Sequence, residues 1–337
     1  MANIFEIPGW KTKQVNSESY HYLYVKPTSG EKKTFVFLHG APTGALAFRK
    51  IVPLVIGEGN GAIVVELLGF GGSSRPKEVE KYSPLAISSA VVDILTTEGV
   101  GKAIVVGQGW GVSIGTRLAL KYPQHVEGLV QVAIPFLPLE AKPLDVQGLN
   151  AMFKPLIGYD PLGYMPFMAS DGALKLLSEH TESFVRLLYD DSTNLASART
   201  FYDTGALENS LKADLKPPTP SWVTEQASSG YCTSYIEMQE ILDFVKRQDM
   251  DATLQYYRFS MFHFDKEDGD LPKRLSTPYL YIECKGDPMI PPPIVQAQLA
   301  HCDKIAIKTF NAGHWVMEEE PVNVVNAVKE WLAAALV

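Results

Sequence analysis

A chain of 337 residues with 46% hydrophobic side chains carries enough apolar material for a large core, which argues against extended disorder. Its 30 Lys and Arg against 38 Asp and Glu leave a net charge of −8, so neither nucleic acid nor an anionic membrane is expected as the main partner. No apolar run reaches the ~18 residues of a membrane span, and no secretory signal is visible. The three cysteines (Cys232, Cys284, Cys302) form no disulfide or metal pattern, so a cytoplasmic setting is expected.

In chain order, residues 20–25 and 34–38 read as strands, the second wholly apolar after Thr34, as in a sheet covered on both faces. Residues 62–67 form another, followed by the turn Gly69-Phe70-Gly71-Gly72-Ser73. A helix over 85–97 leads to a β-branched run at 103–106, then a helix over 113–121 and a strand over 128–134. Near the end, 279–283 and 304–309 read as strands. A closing helix over 321–336 places Val325, Val328, Trp331 and Leu332 on one stripe. Between these α/β segments strand signals fade. Helical patterns at 172–188, 233–247 and 252–259 are separated by loop chemistry such as Lys216-Pro217-Pro218-Thr219-Pro220. The expected class is α/β, with a mostly parallel sheet, helices on both faces and an inserted all-helical cap. Residues 1–136 and 276–337 would form the core and 137–275 the cap. The basic cluster Lys11, Lys13, Lys32 and Lys33 reads as solvated surface.

Gly107-Gln108-Gly109-Trp110-Gly111 lies between a buried strand and a helix, the context of a nucleophile elbow. That turn holds its central residue in a strained conformation, while the flanking glycines let strand and helix approach. The central position should be Ser, Cys or Asp. Here it is Gly109, which relieves the strain and has no side chain to attack with. Alone, the string also describes an ordinary tight turn.

Its neighbours are more specific. A buried strand ends in His39-Gly40-Ala41-Pro42, and a second ends in Glu66-Leu67-Leu68-Gly69-Phe70-Gly71-Gly72-Ser73. Lys285-Gly286-Asp287-Pro288 follows a strand, and Asn311-Ala312-Gly313-His314-Trp315 follows another. Together these segments resemble the epoxide hydrolase branch of the α/β-hydrolase superfamily, over nearly the whole chain. The resemblance implies a hydrogen-bonded His314–Asp287 pair, and an oxyanion hole made by the N–H of Ala41, on a loop that often carries a cis proline, and the N–H of Trp110 just after the elbow. The family's elbow is usually Gly-His-Asp-Trp-Gly, so Gln108 and Gly109 both depart from it, and Glu66 stands where an aspartate is usual. Leu254-Gln255-Tyr256-Tyr257-Arg258 resembles the cap segment bearing one of two tyrosines that protonate an opening epoxide. Pro220-Ser221-Trp222-Val223-Thr224 also fits the pattern. Tyr257 is the first acid; Tyr164 and Tyr159 are both open as the second. His39, Pro42, Gln108, Tyr159 and Trp315 are expected around the substrate. No cofactor and no metal are implied.

Without a carboxylate at 109 the family's covalent ester cannot form there. Ser113 lies on the following helix and points away, and neither Cys284 nor Cys302 sits in a nucleophile motif. The expected function is therefore non-covalent acid/base chemistry on a small apolar metabolite, with a biosynthetic role: cyclisation, isomerisation, lyase chemistry or direct hydration. A conventional epoxide hydrolase inactivated at position 109 is one alternative; a non-catalytic ligand-binding pseudoenzyme is another. A haloalkane dehalogenase also needs the carboxylate, and the cap carries the tyrosine segment instead. A homodimer is left open.

Overall fold

The computed structural model describes residues 4–190, 195–220 and 234–335. The expected pattern at 221–224 and Cys232 lie outside the described residues. Eight strands build one sheet: β1 (Trp10–Val15), β2 (Glu18–Val25), β3 (Thr34–Leu38), β4 (Gly61–Glu66), β5 (Ala103–Gln108), β6 (Val126–Val132), β7 (Tyr279–Cys284) and β8 (Ile305–Phe310). Their spatial order is β1-β2-β4-β3-β5-β6-β7-β8. β2 runs antiparallel to both β1 and β4, and every pair from β4 through β8 is parallel.

The inner strands β3, β4 and β5 are buried at every position, which is why they read as continuous apolar runs. Alternate residues feed two separate layers. Val36, Leu38, Ile63, Val65 and Val105 enter one core with the helices Pro84–Thr97 and Trp110–Lys121. Phe35, Phe37, Val64, Ile104 and Val106 enter the other with the closing helix Pro321–Ala335. Strand β1 was not anticipated. It is an edge strand carrying an exposed Lys11 and a half-buried Lys13, charges that are a usual device against edge-to-edge pairing and that erase the apolar alternation.

Between β6 and β7 the described residues contain helices and no strand. The expected helix over 172–188 is two, Ala173–Glu179 and Thr181–Leu188, interrupted where His180 leaves helical geometry (φ −122°, ψ 38°). The helix bearing Tyr257 runs over Met250–Phe262, its first turn closed by Asp249, which accepts the Ala252 N–H. Leu177, Phe184, Leu207, Ile241 and Leu254 gather in a third cluster, which also takes in Leu46 and Trp315 from the sheet-bearing part. None of the helices among the described residues is long and apolar enough to cross a membrane.

Four of the residues singled out from the sequence sit just past the carboxyl end of a strand: His39 after β3, Gly109 after β5, Asp287 after β7 and His314 after β8. In open parallel sheets that edge is where ligands bind.

Candidate functional site

Strand β5 turns into the helix Trp110–Lys121 at Gly109, whose backbone (φ 54°, ψ −125°) lies in a region that favours glycine. A Cβ at 109 would stand 3.0 Å from the Cα of Gly40 and 3.8 Å from its N, with no other described residue beyond its own chain neighbours and helix within 4 Å. At Gly111 the constraint is harder: a Cβ there would come within 1.8 Å of the Leu38 carbonyl oxygen. One glycine of the elbow is thus required by helix–strand contact, and the other stands at an apex with open space above it.

The loop after β3 is held from behind. The Leu67 N–H donates to His39 Nε2 (3.0 Å), so Nδ1 carries the ring proton and donates it to the Gly40 carbonyl (2.8 Å). The ring is fully enclosed, and burial pushes its pKa down to about 4. Both nitrogens of His39 are therefore engaged with backbone and have no capacity left for a ligand; the residue shapes the loop. Past it, the Ala41–Pro42 peptide bond is cis. Glu66 closes the neighbouring turn, accepting the Gly72 N–H at 2.8 Å, and a Cβ on Gly71 would fall on its carboxylate.

Asp287 has no exposed side-chain surface. Its Oδ1 accepts the Met289 N–H (2.9 Å), and its Oδ2 lies 2.6 Å from His314 Nδ1. The loops after β7 and β8 are laced together by Lys285 N–H to Phe310 O (3.0 Å) and Gly286 N–H to Ala312 O (2.9 Å). Burial works against a charged His314 ring, but the charge and hydrogen bond of Asp287 outweigh it and hold the pKa above the usual imidazole value. With Nδ1–H held by Asp287, the Nε2 lone pair is free to act as a base, and the ring keeps 12% of its side-chain surface open.

Two contacts to the His314 loop were not foreseen. The Glu319 carboxylate accepts the Gly313 N–H at 3.1 Å, and burial pushes that acid up to about 6. Gln108 Nε2 donates to the His314 carbonyl at 3.3 Å, while its Oε1 is buried without a hydrogen-bond partner among the described residues. Neither contact has a local sequence signal. A run of three glutamates gives no sign that a member is enclosed, and Gln108 and His314 are 206 positions apart.

The helical segment supplies phenols. The Tyr257 ring meets the Trp110 indole edge-on (centroids 5.1 Å apart) and lies 6.2 Å from the Tyr164 ring. Tyr164 donates weakly to the sulfur of Met289 (3.8 Å), the residue whose amide caps Asp287. Tyr159 donates to the Pro288 carbonyl at 2.7 Å. Tyr202, also not foreseen, packs edge-on against Tyr164 at 5.6 Å. Burial raises Tyr257 and Tyr159 to about 12 and Tyr164 well above the ordinary phenol value, so all three remain protonated donors at neutral pH. Trp315 is an anchor: its indole N–H donates to the Leu188 carbonyl (3.0 Å), and its ring stacks on Tyr189 at 4.5 Å.

The structure thus brings His314, Asp287, Gln108, Gly109, Trp110, Tyr257, Tyr164 and Tyr159 to one region. Ala41 and Trp110 are part-exposed at its rim, whereas Pro42 is buried. A cleft of about 630 Å³ is lined by Asp287, Tyr159, Lys285 and Pro288; another of about 530 Å³ is lined by Trp110 and Tyr256. Neither is lined by His314 or Gly109. Among the described residues no cluster of three or more His, Cys, Asp or Glu could hold a metal.

The sequence model of one family, described as alpha/beta hydrolase fold, matches residues 33–321. Bifunctional epoxide hydrolase 2 of Mus musculus is 21% identical over 327 residues, covering 94% of this chain and 56% of the mouse protein, so the chain spans about half the length of that relative. Epoxide hydrolase srdG of Neurospora crassa is 24% identical over 331 residues, covering 94% of this chain and 92% of the fungal protein. Among solved structures, epoxide hydrolase A from Mycobacterium thermoresistibile superposes with a TM-score of 0.74 at 21% identity, covering 97% of this chain and 98% of that one.

Proposed function

Because the chain belongs to the alpha/beta hydrolase fold family, we propose that it is an epoxide hydrolase-like enzyme that works without a covalent nucleophile. The observation that carries this reading is a histidine–carboxylate pair at 2.6 Å beside an elbow apex occupied by Gly109. His314 Nε2 takes a proton from a substrate hydroxyl, a carbon acid or a water, and Asp287 stabilises the imidazolium that results. Such a base contributes about 10²–10⁴ in rate. The backbone N–H groups of Ala41 and Trp110 face negative charge developing on substrate oxygen. Tyr257 returns a proton to the leaving atom. Tyr164 is favoured over Tyr159 as its companion, because Tyr159 is already engaged with a carbonyl at 2.7 Å whereas Tyr164 meets only a thioether at 3.8 Å.

The helical segment, roughly residues 137–275, acts as a cap that excludes water and folds a small apolar substrate against the apex. Cyclisation, isomerisation, lyase chemistry and direct hydration all fit this machinery. The test is a panel of small apolar epoxides and hydroxy-epoxides run with the parent and His314→Ala in ¹⁸O-labelled water under single-turnover conditions. Direct hydration puts the label into product on the first turnover, and cyclisation or isomerisation incorporates none. Both collapse in His314→Ala. Equal rates for the two proteins would end the proposal.

A second reading has one observation in its favour. Apart from its own chain neighbours and helix, a Cβ at position 109 meets only Gly40 among the described residues within 4 Å, which is consistent with a side chain at the apex. This favours a conventional epoxide hydrolase altered at that position. Gly109→Asp would then gain epoxide turnover through an ester, seen as a mass increase on the protein and as absence of label in the first-turnover diol.

A further inference from the structure

Three consecutive glutamates follow the His314 loop, and the fold turns each to a different neighbour. Glu318 is enclosed and paired with Arg49 at 2.5 Å. Glu320 accepts from the Asn323 amide at 2.8 Å. Glu319, between them, faces the His314 loop, with both carboxylate oxygens 3.1 Å from the Gly313 nitrogen. The short helix Val316–Glu319 puts it there, and the Glu319 N–H donates to the Trp315 carbonyl at 3.0 Å.

The main chain of His314 is thereby held on both sides. Glu319 takes the N–H of the residue before it, and Gln108 Nε2 donates to the carbonyl of His314 itself at 3.3 Å. One residue further back, the Ala312 carbonyl accepts the Gly286 N–H at 2.9 Å and ties the loop to that of Asp287. A ring that must keep Nδ1 2.6 Å from Asp287 while presenting Nε2 to a reacting atom needs a fixed backbone. A misplacement of ~1 Å can lower a rate by ~10².

Holding a peptide N–H does not require a charge, because the amide oxygen of a glutamine would accept the same hydrogen bond. The residue is nevertheless an acid, in surroundings that oppose its ionisation. Burial raises it to about 6; the Gly313 N–H and His314 pull it down, while the charges of Glu320 and Asp287 add to the rise. The other titratable group facing it is the Cys284 thiol, itself raised by burial and by the charges of Asp287, Glu319 and Glu283. An acid kept where it weakens the fold is the pattern of a functional site. Wherever His314 is neutral and able to act as a base, above the usual imidazole value, Glu319 is ionised.

We propose that Glu319 is a positioning residue for His314, fixing the Gly313 peptide and supplying, alongside Asp287, a second negative charge for the imidazolium that forms when Nε2 takes a proton. Its effect on rate rests on the reading of His314 as a base; its effect on the titration of the ring does not.

The test follows the His314 ring by NMR titration of the full-length protein, with His314→Ala to assign the signal. Glu319→Gln keeps an acceptor for Gly313 and removes the charge, so His314 should bind its proton about two- to tenfold less tightly. Glu320→Gln removes an equal charge one position away and should leave the midpoint unmoved, whereas Glu319→Asp should restore most of the parent value. On an epoxide that the parent converts, Glu319→Gln should lower kcat by about tenfold with KM unchanged, while gaining stability at neutral pH. In the parent, the ring signal should carry a second, smaller step near pH 6 as Glu319 titrates, which keeps the test decisive if the glutamine variant folds poorly. An unmoved midpoint in Glu319→Gln, an equal shift in Glu320→Gln, or a parent titration without the second step would each overturn the inference. A parent no faster than His314→Ala would end the catalytic reading instead, and the titration would still decide whether the charge of Glu319 acts on the ring.

Discussion

Asp287→Asn is the sharpest perturbation of the histidine–carboxylate pair, because it keeps the shape of a fully enclosed side chain while removing its charge. A hydrogen bond to a charged group contributes about 1.5–3 kcal/mol. At 1.36 kcal/mol per tenfold, the variant's His314 should bind its proton about ten- to a hundredfold less tightly. The amide would also present an N–H toward Nδ1, driving the ring to the tautomer with its proton on Nε2 and removing the base. The rate loss should then approach the whole ~10²–10⁴ of general-base catalysis. The protonation change can be read without substrate, by NMR titration of the His314 ring with His314→Ala to assign the signal. Stability offers a second readout. In the parent the folded chain holds this proton more tightly than the unfolded chain does. The resulting stabilisation is complete below the unfolded value of 6.5 and is lost as pH rises through the higher folded value. That decline should vanish in Asp287→Asn. A His314 titration unmoved or shifted upward in the variant would refute the reasoning.

Three further outcomes are expected. Gly109→Ala forces an L side chain to φ 54° with its Cβ 3.0 Å from Gly40, which should cost about 1–3 kcal/mol and several degrees of Tm by calorimetry. Tyr257→Phe and Tyr164→Phe should each lower the rate by roughly 10² while changing stability by no more than ~1 kcal/mol, measured as kcat against Tm; the reverse pattern would make them packing residues. Glu319, raised by burial from 4.5 to about 6, destabilises the fold once ionised, so stability should fall as pH rises from about 4.5 to 6, by about 2 kcal/mol at most. Glu319→Gln should flatten that decline in denaturant titrations across the same interval.

Much of the architecture was legible because the inner strands are covered on both faces, leaving unbroken apolar runs such as Phe35–Leu38 in the sequence. β1 was not, since an edge protected by lysines has no apolar period to detect. Within the helical segment, Val146–Ile157 carries Pro155 in its interior, and the eight-residue helix with Phe201 and the seven-residue helix with Leu207 are too short for a clear stripe. Site residues next to strand ends were legible for a related reason: the turn that follows a buried strand imposes local chemistry, as in His39-Gly40-Ala41-Pro42. Contacts made across the fold left no such trace. The hold of Gln108 on the His314 carbonyl, the carboxylate of Glu319 on Gly313 and the ring of Tyr202 beside Tyr164 exist only once distant segments meet. Tyr159 and Tyr164 could not be ranked from spacing alone, because what separates them is where each hydroxyl proton goes.

His39 adds a consequence for any acidity profile of this protein. An imidazole that resists protonation down to about pH 4 contributes no change of charge across the range in which rates are normally followed, so a bend there belongs to other groups. Below that, a proton on Nε2 would evict the Leu67 amide from its acceptor and the segment bearing Ala41 would lose its brace. Inactivation in strong acid should therefore be a reversible loss of shape, the same for every substrate and independent of how chemistry proceeds at the apex.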